Sequence, residues 1–233
     1  MDIKKTLLFS ALVVSALSFA QISFSETRFG VTAGGNYSQV TNAHNPSGPR
    51  YTLQGGIIAL VPIGKDNQFY IQSEILYYGA GESGKDRRVK GRDGYNALYA
   101  NNYLSIPVFF KVYTSKDRSA FFGMIGPRFN FLLSQKVKNV PLDRSYYDPD
   151  ISDPKHPEID GKANPFNFGI SYGIGYSHNR NIEVILKYDM GISNTYPRLI
   201  ESWTGSPNTG KSKSEQVISL GVSFLLTKDQ RNP

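Results

Sequence analysis

The chain contains no cysteine, which removes both a disulfide framework and a thiolate metal site. Histidine is scarce: His44 and His156 fall in expected loops and His178 in a turn. None stands beside a serine nucleophile and a carboxylate at fixed strand spacing, the grouping that a hydrolase of lipid or peptide needs. Metal-ligand spacings and a phosphate-cradling glycine loop are missing as well. The expectation is therefore no enzyme, no catalytic residues, no cofactor and no metal.

Long apolar runs are also scarce. The one present, Leu7 to Leu17, covers 11 residues, short of the ~20 that a membrane-spanning helix requires. Lys4 and Lys5 precede it, and Ser18-Phe19-Ala20 follows with a small-x-small pattern. This reads as a cleavable secretory signal over 1–20, with Gln21 as the mature N-terminus. Removing Asp2, Lys4 and Lys5 takes the formal charge from +7 to +6. A basic exported chain meets anionic lipid headgroups more naturally than nucleic acid, although a pI without a specific partner is the plainer reading.

Period-2 alternation dominates the remainder and predicts strands. Over 166–177 one face is Phe166, Phe168, Ile170, Tyr172, Ile174 and Tyr176, and the other is Asn167, Gly169, Ser171, Gly173, Gly175 and Ser177. The next segment repeats the pattern after the polar turn His178-Asn179-Arg180-Asn181. The whole chain gives strands near 27–40, 51–63, 68–78, 99–113, 120–133, 165–177, 182–193 and 215–226. Their connections alternate long and short. Transmembrane barrels do this because periplasmic turns are tight and extracellular loops are free to grow. The expected fold class is all-β: an eight-stranded antiparallel up-and-down transmembrane barrel over 21–226, after signal 1–20 and before a polar tail 227–233.

Two patterns set the expected orientation of the faces. One face of the strands carries Gly, Ser and Asn together with Glu74, Lys111, Arg128, Glu183, Lys187 and Asp189. Such groups suit the narrow, side-chain-filled lumen of a small barrel. Aromatics gather at strand ends on the opposite face. Phe29, Phe69, Phe110, Phe121, Tyr176 and Phe224 form a candidate periplasmic girdle, and Tyr37, Tyr51, Tyr77, Phe131 and Phe166 an outer one. Bilayer interfaces select such belts. Pro107 and Pro127 fall mid-strand and are expected at bulges.

Several local patterns add a family resemblance. These are Phe29-Gly30-Val31-Thr32-Ala33-Gly34-Gly35-Asn36-Tyr37, Gln72-Ser73-Glu74-Ile75-Leu76-Tyr77 and Tyr103-Leu104-Ser105-Ile106-Pro107-Val108-Phe109-Phe110-Lys111. Gly126-Pro127, Gly191-Ile192-Ser193-Asn194 and Ser219-Leu220-Gly221-Val222-Ser223-Phe224 complete the set. Together they resemble the PorT-like outer-membrane β-barrel family of Bacteroidetes. The resemblance implies an eight-stranded Gram-negative outer-membrane barrel. Some members belong to the type IX secretion machinery; none of the matching motifs is catalytic.

The remaining candidates carry contacts rather than chemistry. Glu74 and Arg128 are expected to approach each other across Ser105, and Glu183, Lys187 and Asp189 to pair in part along one strand face. Either a structural ion network or a proton or ion path fits these charges, the network being the plainer. Lys85, Arg87, Arg88, Lys90 and Arg92 form a basic loop suited to lipopolysaccharide phosphates, because guanidinium forks match phosphate oxygens; a solvated loop is the alternative. Asp148, Asp150, Asp153, Glu158 and Asp160 lack the spacing of a calcium loop. Tyr146, Tyr147 and Trp203 suit a protein-binding tip. The leading expectation is a non-enzymatic barrel that contacts outer-membrane lipid, lipopolysaccharide, or secretion or surface proteins. A small passive pore comes second and a lipid-modifying enzyme third.

Overall fold

The computed structural model describes residues 22–42, 48–83, 98–138, 162–198 and 212–226. The expected signal, the polar tail, the basic run 85–92, the acidic stretch 148–160, Tyr146, Tyr147, Trp203, His44 and His156 lie outside the described residues.

Eight strands follow one another: β1 Arg28–Val40, β2 Gly48–Ile63, β3 Phe69–Ser83, β4 Leu98–Tyr113, β5 Ala120–Lys138, β6 Phe166–His178, β7 Ile182–Gly191 and β8 Glu215–Leu225. Each pairs antiparallel with the next, and β8 closes on β1 from Gly30↔Leu225 to Val40↔Glu215. The result is a closed eight-stranded barrel with no free sheet edge, as the alternation predicts. Closure satisfies the backbone between strands, the condition for crossing a bilayer with sheet.

The pleat sends alternate side chains to opposite sides of the wall. On β6, Ile174 is 66% exposed while Ser171 is fully buried. The apolar set points out and the small or polar set points in. This inversion of a soluble protein's burial runs around the whole wall, with Leu53, Ile57, Leu186 and Leu220 all exposed.

Several strand ends depart from the sequence expectation, among them the start of β2 at Gly48 rather than 51. β3 continues through Gly79-Ala80-Gly81, which reads as a breaker but pairs with Asn102, Asn101 and Ala100. Gly81 bends the strand at φ 108°, and a Cβ there would meet the Tyr99 carbonyl oxygen at 2.1 Å, so glycine marks a kink rather than an end. β5 runs on to Lys138 because Leu133 is a bulge: Tyr103↔Leu132 and Asn102↔Ser134 are successive pairs. One extra residue breaks the period-2 pattern and imitates a strand terminus. β7 stops earlier, at Gly191, and the backbone N–H groups of Ile192 and Ser193 both turn to the Phe168 carbonyl.

The expectation that Pro107 and Pro127 sit at bulges is corrected, since both keep an unshifted register. Pairing instead lapses beside them, between Ser73↔Val108 and Leu76↔Ser105 and between Pro107↔Arg128 and Phe110↔Ile125. A proline ring brings no N–H to such a rung. Beside Pro127 the strands come so close that a Cβ on Gly126 would lie 1.8 Å from the Val108 carbonyl oxygen.

The β6–β7 connection explains how the short end is held. Asn179 and Arg180 both have positive φ, 49° and 56°, and the Asn181 N–H donates to the His178 carbonyl at 3.0 Å. That closes a tight turn within the three-residue loop between the paired His178 and Ile182, and hairpins this short draw on left-handed residues. Asparagine accepts the left-handed region readily; arginine needs a reason to be there.

Candidate functional site

The interior is built in layers. At the end carrying the short turns, Tyr70, Phe109, Tyr113, Phe122, Leu60 and Leu225 pack as one buried cluster. Tyr113 meets Tyr70 and Phe122 edge-on, with centroids 5.4 and 5.5 Å away. The Arg180 guanidinium closes this floor, 3.6 Å from the Tyr113 ring. Its Nε and Nη2 donate to the carbonyls of Asp117 and Ser115 at 2.9 and 2.7 Å. These bonds supply the reason for arginine in a left-handed position: it ties the β6–β7 turn to the β4–β5 turn. Lys116 and Asp66 tie the latter to the β2–β3 turn at 2.8 Å. The hydrogen bond from Lys116, then its charge, holds the exposed Asp66 carboxyl below the usual carboxylate range.

Above the floor lies a charged layer. Lys111 Nζ pairs with Glu183 Oε2 at 2.6 Å and donates to Gln72 Oε1 at 2.9 Å. Gln72 Nε2 donates to Glu74 Oε1 at 2.7 Å, and Lys187 Nζ reaches Glu74 Oε2 at 2.9 Å. Tyr113 OH donates to the second Glu183 oxygen at 2.5 Å. Arg128 Nη1 lies 3.3 Å from Asp189 Oδ2, the oxygen that also accepts from Tyr78 OH at 2.8 Å. Ser171 donates to Asp189 Oδ1. Three cations face three carboxylates, so the layer carries no net charge and each carboxylate holds a hydrogen-bond donor. Buried charge is tolerable on those terms.

The pairing differs from the sequence expectation. Glu74 takes Lys187 rather than Arg128, and Arg128 turns to Asp189. Likewise Glu183, Lys187 and Asp189 do not pair with one another along β7; each binds a different strand. In so narrow a barrel the facing wall competes with the next residue on the same strand, and strand spacing alone does not reveal it.

Farther out, a third layer was missed in the sequence. Glu215 Oε1 accepts from Asn101 Nδ2 at 2.8 Å and from Tyr103 OH at 3.1 Å. Asn101 Nδ2 also reaches Tyr196 OH at 2.8 Å. Arg50 caps this end, donating to the carbonyls of Ala80 and Asn101. The signal was the lumenal parity of β8, which Glu215 shares with Val217 and Ser219. As the first residue of its strand it has no alternation before it to mark that parity.

The girdle candidates lie on the outside of the wall and meet across strands. Phe69 stacks on Phe110 with centroids 6.2 Å apart, and Phe121 lies 5.1 Å from Tyr176. At the long-loop end Tyr37 meets Tyr51 at 5.5 Å and Phe131 meets Phe166 at 5.3 Å. Phe29, Tyr77 and Phe224 are exposed at the same levels. Among the described residues no His, Asp and Glu side chains gather as a metal cluster.

A closed barrel with an apolar exterior, two aromatic belts and a charged interior belongs to the class that spans outer membranes with strands. The family model described as "Outer membrane protein beta-barrel domain" matches residues 19–196, and the chain belongs to that family. The match reaches through β7 and ends before β8. Among solved structures, OprG of Pseudomonas aeruginosa is 10% identical with a TM-score of 0.42, over 85% of this chain and 91% of that one. Neisserial surface protein A is 12% identical with a TM-score of 0.40, over 85% and 97%. Ail, the attachment invasion locus protein of Yersinia pestis, is 10% identical with a TM-score of 0.38, over 85% and 98%. No curated protein matches.

Proposed function

We propose that the protein is a non-enzymatic barrel that acts through contacts made by its long outer loops, with lipopolysaccharide or with secretion or surface proteins as partners. One observation carries this reading: the lumen is crossed by the Lys111–Glu183 and Lys187–Glu74 pairs over a floor of packed aromatic rings. A lumen so filled leaves little route for solute, and the loops are then the part able to meet other molecules. The basic run Lys85, Arg87, Arg88, Lys90 and Arg92 supplies cations in one such loop, matched in chemistry to lipid phosphates.

Membership of the PorT-like branch in Bacteroidetes, delivery by a signal over 1–20 and an accessory role in type IX secretion extend the proposal. The motif resemblance supports the first and the last, and the pattern Lys4-Lys5, Leu7 to Leu17 and Ser18-Phe19-Ala20 supports the signal. Replacing all five loop cations by glutamine tests the lipid arm. Binding of the reconstituted barrel to lipopolysaccharide should fall at least about tenfold and lose its salt dependence. Unchanged binding removes this arm. A deletion strain that secretes its surface proteins normally removes the secretion arm.

A further inference from the structure

The outer face of the wall holds a feature that neither the lumen nor the loops account for. A cavity of about 600 Å³ lies against Gly123 and Ile125 of β5, Tyr172 and Ile174 of β6, Leu186 of β7 and Ile218 of β8. That volume falls within the about 300–1,000 Å³ typical of small-molecule sites.

Register shows how it forms. Outward residues line up in rows across the strands: Gly123↔Ile174↔Leu186 makes one, Ile125↔Tyr172↔Tyr188↔Ile218 the next. The first row has a gap, because Gly123 lacks a side chain and an added Cβ would meet nothing within 4 Å. Below the gap stands the Phe121–Tyr176 pair of the periplasmic girdle. The slot therefore starts at that interface and climbs into the aliphatic band. Its one ionic neighbour, Lys187, directs its ammonium inward to Glu74.

We propose that this slot holds an acyl chain of a glycerophospholipid from the periplasmic leaflet. Three features favour that occupant. Rows on a strand face repeat every two residues, roughly 6–7 Å apart, which suits one hydrocarbon chain and not a helix of about 10–12 Å diameter. The mouth lies at the periplasmic girdle, the level of that leaflet's headgroups. The lining is apolar, with its one ammonium turned away to Glu74, as a hydrocarbon chain requires. The inference rests on the membrane-spanning reading, which the heat-dependent shift in gel migration of the same samples tests separately.

The experiment uses the full barrel reconstituted in phosphatidylethanolamine–phosphatidylglycerol vesicles, extracted into mild detergent and analysed for phospholipid per barrel. Wild type is expected to keep about one phospholipid, as a pocket-bound ligand would. Gly123→Leu, which fills the gap, should keep less than about a fifth of that with unaltered heat-shifted migration. Ile57→Phe, on the exposed face of β2, should match wild type. Equal retention by Gly123→Leu and wild type overturns the proposal, as does a wild type that keeps none. Because the chain has no cysteine, Gly123→Cys gives a single thiol. Efficient disulfide-linked dimers of it in vesicles would assign the slot to a second copy instead.

Discussion

The two halves of the lumen solve the same problem differently. Toward the short turns, Lys111 pairs with Glu183 and Lys187 with Glu74 above a floor of packed aromatic rings, where Arg180 donates to two turn carbonyls. Toward the long loops amides and hydroxyls surround the single Glu215 carboxylate beneath Arg50, and several buried oxygens, those of Asn36, Asn101, Asn130 and Asn167, have no protein donor. Oxygens in such places are the kind that buried water serves. Narrow barrels need a filled interior to resist collapse. The contrast teaches that here one half is filled by ion pairs and rings and the other largely by neutral polar groups, so rigidity should be concentrated at the short-turn end.

The largest break in that contrast should come from Glu183. Glu183→Ala strands the Lys111 ammonium in a site fully shielded from solvent and should destabilise the barrel by about 3–5 kcal/mol, measured by urea unfolding in lipid vesicles. Replacing Lys111 and Glu183 together by methionine should cost distinctly less, because no charge is then left unpaired. Equal losses would mean that the pair does not matter as a pair.

Arg180→Gly comes next. It relieves the backbone at φ 56° yet leaves two turn carbonyls without their donor, so a loss of about 1–3 kcal/mol is expected. Faster amide exchange should be confined to residues 114–119 and 178–181. In the outer half, Glu215→Gln keeps an acceptor for Asn101 and Tyr103 and should cost only about 0.5–1.5 kcal/mol. A loss as large as that of Glu183→Ala would erase the distinction between the halves.

The smallest effect belongs to the exposed Lys116–Asp66 pair. The Asp66 carboxyl is held below its ordinary value, so its contribution is present above the unfolded carboxylate pKa and fades as pH falls through the lower, folded one. Asp66→Asn should remove that acid-side dependence alone, and salt should mute it in the parent.

Much of this architecture is legible in the amino-acid order. Strict alternation in 166–177, repeated in 182–190 but for Ile185, marks both faces of the wall, and the belt residues announce the interfaces because aromatics recur at strand ends. Legibility fails where geometry beyond one strand decides. The bulge at Leu133 and the kink at Gly81 look like ends because local pattern does not report pairing with a neighbour. The partner of Glu74 depends on which strand lies across the lumen, a property of closure and tilt. Arg180 looks like an ordinary turn cation until the adjacent turn's carbonyls are placed beside it. Gly123 is one glycine among 22, and only the rows around it turn it into a gap.

Single-channel recording in a planar bilayer puts the central claim, a sealed lumen, to the most direct test. Purified full-length barrel should give no long-lived unit conductance, whereas Glu183→Ala, with its plug disrupted, should show brief openings. Stable, uniform open channels from the unaltered protein would contradict the account.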